Sequence, residues 1–489
     1  MRILAIDLGT SRVKVGVVDE NLVTRASSSR QYPTLTSDPG MAEQRSQDWL
    51  GAISAATKSV LETVDPLRID AVVMTAQMPT LVALDEAGKV IGNAVTWQDS
   101  RADSLVLSHL DHHARERVRV LAGTPIDGRY IIPMHLRRGA ERTYRPATLL
   151  SAKDYLYYVL TSHLVTDPST ASGFGNFDIT ATSWSDELTG HWGIETDLLP
   201  RIVDPHHAAP LSQTGAALLE GVAPGTPVVL GAADSVCAHH FITTLFNDSA
   251  SVIDGSSTVI MATVPNATSV IGELLVTPLV DPSTCGAEMD LLSTGSSIGW
   301  LAKLLAVSPE DLEELAITNP RRVENEVLFL PYLARGEQGV IWRSDLAGSI
   351  DRLSLDASRA DISLALFEGI AIETMRCIEV LQHSQPLKRV VCVSSPRSRH
   401  LGASLLGALL DIPVLALAQQ SPSLLGAALI GLESLGDGST IRNLEPQSLL
   451  AEVPRFETTY RDALVRKAHE YLKIAAHASD PQPTRSTHE

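Results

Sequence analysis

Residues 3–19 run Ile-Leu-Ala-Ile-Asp-Leu-Gly-Thr-Ser-Arg-Val-Lys-Val-Gly-Val-Val-Asp. An apolar stretch leads into Asp7, a turn of small hydroxyl residues follows, and valines at 13, 15 and 17 then alternate with other residues, the period of a strand. The segment predicts a β-hairpin that holds a carboxylate at one strand end. Residues 251–261 repeat the design: an apolar run into Asp254, then Gly255-Ser256-Ser257, then a second apolar run. This echo predicts two domains of related design. A chain of 489 residues is also too long for one compact core. The expected division is 1–245 and 246–477, with a disordered tail at 478–489.

The turns carry chemistry as well as topology. Gly9 lets backbone N–H groups approach an anion closely, and Thr10 and Ser11 add hydroxyl donors. Asp7 can hold a hydrated Mg²⁺ beside them. That set suits a nucleotide phosphate, although Asp-x-Gly-Thr also occurs in plain hairpins. Asp234 ends an apolar strand, 227–234, just before a predicted helix from Ser235 to about Phe246. It reads either as that helix's N-cap or as a carboxylate that takes a proton from a substrate hydroxyl during phosphoryl transfer.

Composition narrows the partners. The net charge is −18 with no long basic stripe, which argues against a nucleic-acid backbone as partner. The four cysteines, at 237, 285, 377 and 392, form no Cys-x-x-Cys pair and read as buried thiols in a reducing compartment. The first residues enter a strand without a signal peptide's apolar core, and no run reaches transmembrane length, so a cytoplasmic protein away from membranes is expected. The histidine pairs at 112–113, 206–207 and 239–240 lack metal-ligand spacing.

Apolar periodicity predicts helices at 47–64, 102–122, 147–162, 361–383, 399–411 and about 424–435, and strands at 69–75, 81–85 and 389–393. The Gly/Ser/Thr-rich stretch 166–183 reads as loop; 293–299 reads either as an ordinary loop or as a border of the nucleotide.

Taken in order, these segments resemble the FGGY carbohydrate kinase family. Asp7-Leu8-Gly9-Thr10-Ser11 is similar to its first phosphate motif and Gly255-Ser256-Ser257 to its second. Glu43-Gln44 with Trp49, then Gln77-Met78 and Trp97-Gln98-Asp99-Ser100-Arg101, resemble its early and sugar-site segments. Lys153-Asp154-Tyr155-Leu156, Thr166-Asp167-x-Ser169, Phe329-Leu330-Pro331-Tyr332-Leu333 with Gly336-Glu337, and Phe367-Glu368-Gly369-Ile370 also fit, and Asp234 falls where the family carries its catalytic base. The resemblance implies an α/β fold of two actin-like ATPase (ribonuclease H-like) domains with an interdomain cleft. It also implies ATP and Mg²⁺ as cofactors, a small sugar as partner, and a homodimer as one candidate assembly. Asp234 and Asp7 would be catalytic, with Asp7 orienting the metal. Gly9, Thr10, Ser11, Arg12, Gly255, Ser256, Ser257, Ser395 and Arg397 would face the nucleotide. Gln77, Met78, Trp97, Asp99 and Arg101, together with Asp234, would face the sugar. Core packing for Trp97, a structural ion pair for Asp99 and Arg101, and a solvated surface for Arg397 remain open.

Within the family the resemblance is to xylulokinases first and gluconate kinases next. Pro79 stands where the xylulokinase loop continues with His, and a proline supplies neither an imidazole nor an N–H. Ser394-Ser395-Pro396-Arg397 replaces a Gly-Gly-Gly-Ala turn, Ala408 stands where an Asp is usual, and Met134-His135-Leu136-Arg137 replaces a Lys-x-Trp segment. The expected activity is phosphorylation of a ketose such as xylulose. A gluconate or polyol kinase, or a non-catalytic sugar or nucleotide sensor on the same fold, are the alternatives.

Overall fold

The computed structural model describes residues 1–270, 274–334, 339–343, 346–393, 400–418, 421–436 and 446–479. Gly336-Glu337, Ser395 and Arg397 lie outside the described residues, as do residues 480–489 of the expected tail; the last helix runs Thr458–Ser479.

Two sheets share one strand order. In the first, β1 (Arg2–Leu8) and β2 (Arg12–Asp19) form the opening hairpin and β3 (Thr24–Gln31) extends it. On its other side β1 pairs in parallel with β4 (Ala71–Ala76), which pairs in parallel with β5 (Pro227–Val229). In the second, β6 (Ser249–Asp254) and β7 (Thr258–Val264) form the hairpin, extended through β8 (Leu275–Pro278) and β9 (Cys285–Leu291) in the edge order β8-β9-β7. There β6 pairs in parallel with β10 (Arg389–Val393), and β10 with β11 (Val414–Leu417). Each sheet ends on a short antiparallel strand, Ala208–Pro210 in one and Leu450–Ala451 in the other. The sequence echo is therefore an architectural repeat. Its parallel strands, buried on both faces, read as continuous apolar runs such as Val390 to Cys392.

Helices α1 (Asp234–Leu245) and α3 (Pro422–Ser434) run between the sheets, whereas α2 (Arg359–Ser384) belongs to the core of the second half. α3 comes from late in the chain yet packs on the first sheet, with Gly431 against Ile3 and Val73. A Cβ at Gly426 would lie 1.8 Å from the Cys237 carbonyl oxygen, so the two helix backbones touch there. Gly426→Ala must push α3 off α1, and it is expected to cost about 3 kcal/mol, the upper part of the range for overpacked cores. A urea midpoint unchanged by the substitution would contradict this close approach.

Several segments differ from their sequence reading. Residues 102–122 form two helices, Asp103–His109 and His112–Ala122, because Asp111 caps the second by accepting from the Ala114 N–H at 2.8 Å. Residues 147–162 begin as a strand, Thr148–Leu150, and turn helical from Ala152, where Asp154 accepts from the Ser151 N–H at 3.3 Å. The stretch 166–183 contains a helix, Pro168–Ser172, capped by Asp167, and 293–299 includes the start of the helix Gly295–Leu304. The strand expected over 227–234 stops at Val229. Gly231 then takes φ +70° where a Cβ would meet the Met74 carbonyl at 1.9 Å, so this turn requires glycine.

Candidate active site

The first turn is held from three sides. The Tyr32 hydroxyl donates to the Gly9 carbonyl. Gln44 Nε2 donates to the Thr10 carbonyl at 2.7 Å, and Trp97 Nε1 donates to Thr10 Oγ1 at 3.1 Å. The Glu-Gln-x-x-x-x-Trp segment acquires a physical meaning here. Trp49 Nε1 is donor-only and points at Gln44 Oε1 (3.0 Å), which fixes the Gln44 amide; Gln44 Oε1 also accepts from Gln77 Nε2 at 2.9 Å. One buried amide thus locks both the phosphate turn and the predicted sugar loop.

Asp234 reaches the same place from another strand. β5 lies beside β4, Thr75 Oγ1 donates to the Ala232 carbonyl at 2.8 Å, and Ala233 bridges to Ala76. Asp7, Gln77 and Asp234 therefore gather where three parallel strands end, the usual ligand edge of such sheets. Asp234 opens α1 and accepts from the Ser235 N–H at 2.9 Å. Burial, then the nearby Asp7, pushes its carboxyl up to about 7 in spite of that N–H. Asp7 is 5% exposed; its Oδ2 accepts from Ser423 Oγ at 2.8 Å and lies 3.9 Å from Lys14 Nζ.

A buried ionic network stands behind Asp234. Lys153 Nζ lies 3.1 Å from Asp154 and 3.0 Å from Asp167, all three in the protein interior. Asp167 accepts from the Ser169 N–H and hydroxyl, and Ser169 Oγ in turn accepts from the Ala233 N–H at 3.0 Å. The residue before Asp234 is anchored through this chain.

The second half supplies the facing wall. Asp254 ends β6 as Asp7 nears the end of β1, and its Oδ1 accepts from Thr258 Oγ1 at 2.9 Å. The Gly255–Ser257 turn docks on the start of the helix Gly295–Leu304. Ser296 N–H donates to the Ser256 carbonyl at 3.0 Å, and a Cβ at Gly295 would lie 2.0 Å from the Gly255 carbonyl.

Two cavities meet at this turn. One, of about 260 Å³, is lined by Thr10, Gln77, Met78, Pro79, Trp97 and Asp234 on one side and by Asp254 to Ser257 on the other. The second, of about 340 Å³, lies within the second half between α2, β10 and the helix Leu401–Leu409, and is lined by Ile298, Phe367, Ala371, Cys392, Ala403 and Leu406. Asp254 and Gly255 border both.

Not every predicted residue joins them. Asp99 is buried and accepts from the Ala42 N–H, and Arg101 donates to Asp99 and to Glu43 at 2.5 Å. The pair is held by Ala42 and Glu43, and neither side chain lines the cavity of about 260 Å³. Ser11 and Arg12 are exposed on the turn and line neither cavity. Ala408 is buried outside both cavities, and its carbonyl accepts from Arg461 Nε at 3.1 Å. The sequence names Asp254 only as part of the repeat, and gives no sign that Arg129, Tyr130, Glu288, Asp290 and Ser423 also line the first of these cavities.

The carboxylates of Asp7 and Asp234 suit a divalent cation. Their mutual repulsion is relieved by positive charge, and Mg²⁺ characteristically takes only one or two protein carboxylates and keeps waters and phosphates as its other ligands. Among the described residues no cluster of three or more His, Cys, Asp or Glu offers an all-protein metal site.

Two sheets of one strand order, each presenting an acid and a Gly-hydroxyl turn to a common cleft, make this a two-domain actin-like ATPase fold. The chain belongs to the FGGY family of carbohydrate kinases, whose N-terminal domain matches residues 2–240 and whose C-terminal domain matches residues 250–435. It is similar to the xylulose kinase of Bacillus subtilis (strain 168), 24% identical over 446 residues that cover 89% of this chain and 88% of the relative. It is similar also to the gluconokinase of the same organism, 23% identical over 453 residues covering 88% and 87%. Among solved structures its fold matches the ligand-bound xylulose kinase from Lactobacillus acidophilus with a TM-score of 0.84 at 22% identity, covering 97% of this chain and 98% of the other. No helix among the described residues is long and apolar enough to cross a membrane.

Proposed function

We propose that this protein transfers the γ-phosphate of ATP to a hydroxyl of a ketose such as xylulose. The observation that carries the reading is Asp234: a carboxyl at the floor of a cleft, held near neutral pH by burial and by Asp7, and facing a second Gly-hydroxyl turn. A base is most useful when its pKa lies near the working pH. In this reading Asp234 Oδ receives the acceptor hydroxyl's proton as the oxygen bonds to phosphorus, late in a loose transition state where positioning dominates. Backbone N–H groups and hydroxyls of Gly9–Thr10 and Gly255–Ser257 hold the phosphate oxygens. Asp7, with Asp234 beside it, would hold hydrated Mg²⁺, which supplies charge against the phosphates when bound. Closure of the two halves keeps water from competing as acceptor.

The apolar cavity of the second half is the place for the adenosine, because it touches the acceptor cavity only at the Gly255 turn. Ala371→Phe fills that cavity and is expected to raise the KM for ATP by about tenfold or more, the effect of losing roughly 1.4 kcal/mol of binding, while sugar affinity stays unchanged. Steady-state kinetics with each substrate varied in turn tests the kinase reading and the cavity together. Acceptor-stimulated ATP turnover supports the reading; an unchanged KM for ATP would place the nucleotide elsewhere.

A further inference from the structure

The acceptor cavity has a wall that the phosphate turns do not explain. β9 alternates: Ala287, Met289 and Leu291 enter the core of the second half, while Glu288 and Asp290 line the cavity. Two carboxylates side by side on a sheet interior are costly unless something uses them. Glu288 is 7% exposed and accepts one hydrogen bond, from Thr277 Oγ1; burial, then Asp290, pushes its carboxyl above the usual range. Asp290 Oδ1 is buried with no hydrogen-bond partner among the described residues. Across the cavity, Gln77 is 1% exposed and its Oε1 likewise has no partner among the described residues. That orientation is fixed, because Gln44 Oε1 claims the Gln77 NH₂ group. Asp234 adds a third carboxyl. Among the described residues of the lining the one guanidinium, Arg129, directs Nε and Nη2 at Asp127 and lies close enough to Asp290 to favour its ionised form; Arg101, outside the lining, is held by Asp99 and Glu43.

A wall of carboxyls with open hydrogen-bonding atoms suits hydroxyls. A polyhydroxylated ligand can donate to Gln77 Oε1 and either donate to or accept from each carboxyl, whereas a ligand carboxylate would bring a further acid beside Asp234, Glu288 and Asp290, with one guanidinium, already paired with Asp127, among the described residues of the lining. We propose that Glu288 and Asp290, contributed by the second half, are the residues that select an uncharged polyol or ketose and reject an aldonate. The inference rests on the kinase reading of the cleft. It makes acceptor recognition a joint property of both halves, so that the acceptor's hydroxyls help hold the cleft shut.

The test measures binding apart from turnover. Equilibrium binding of matched neutral and acidic acceptors (a ketopentose, its polyol, and the corresponding aldonate) is measured by calorimetry on the full chain with ADP and Mg²⁺, for the parent and for Glu288→Gln, Asp290→Asn and the double variant. ATP consumption is followed in parallel. The parent is expected to bind a neutral acceptor at least tenfold more tightly than the aldonate. Each variant is expected to weaken the neutral acceptor by about tenfold, the size of one charge-assisted hydrogen bond, and to narrow the discrimination against the aldonate. The amides keep the side-chain volume and remove buried charge, so thermal midpoints should not fall. Preference of the parent for the aldonate, absence of binding by every acceptor, or unchanged selectivity in the double variant would each overturn the proposal. Selective binding of a neutral acceptor without ATP turnover would instead overturn the kinase reading and leave this one standing.

Discussion

Asp234→Asn is expected to lower kcat by about 10²- to 10⁴-fold, the usual contribution of a positioned general base, with sugar affinity nearly unchanged. The amide keeps the shape and the hydrogen bond from the Ser235 N–H but cannot take a proton. The parent's kcat/KM for the acceptor should rise about tenfold per pH unit while the carboxyl is still protonated and level off once it is ionised, at about pH 7 for the metal-free pair and lower when Mg²⁺ relieves the repulsion from Asp7. The same shift makes a stability statement of opposite sense. The folded value lies above the unfolded one, so the folded protein holds a proton that the unfolded chain has released between about pH 4 and 7. The stability this group contributes is complete below that window and is lost as pH rises through about 7. Asp234→Asn should therefore melt at a higher temperature than the parent at pH 8, and the gain should fade towards pH 4. A variant that is both inactive and less stable at pH 8 would assign Asp234 a structural role.

Lys153→Met carries the largest expected effect on stability. Asp154 and Asp167 would be left in the interior without their cation, and breaking a buried pair in this way costs about 3–5 kcal/mol. The loss extends to the site, because Asp167 orients Ser169 and Ser169 holds the Ala233 N–H next to the base. The folded fraction should therefore show a reduced kcat with ATP binding intact. Urea unfolding together with kinetics normalised to folded protein measures both. A midpoint matching the parent's would mean that the ammonium contributes nothing net to the fold.

The hairpins and their echo were legible because strand period, a terminal acid and a Gly-hydroxyl turn are all local. Asp234 was legible only as a choice between cap and catalyst. It took Ala76, Asp7 and Ser169, distant in sequence, to place Asp234 on the cleft floor. Some misreadings had local remedies: Asp111, Ser151 and Asp167 each carry a cap signature that splits what periodicity reads as one helix or one loop. Others had none. Nothing local to Glu288-Met289-Asp290 marks its polar face as a pocket wall; the facing residues come from the first half. Ser423 meets Asp7 across more than four hundred residues. For Asp99 and Arg101 the residue types suit either a ligand or a brace, and their ion pairing with Glu43, read in the sequence only as part of a motif, is a contact no local pattern shows.

The central claim is that this cleft moves phosphate onto a sugar hydroxyl. The most direct measurement is phosphorus NMR of the purified protein with ATP, Mg²⁺ and a panel of ketoses, polyols and aldonates. The account predicts loss of the γ-phosphate signal matched by a new phosphomonoester resonance with a neutral acceptor. Inorganic phosphate released at one rate whatever sugar is present, or no turnover with any acceptor, would contradict it.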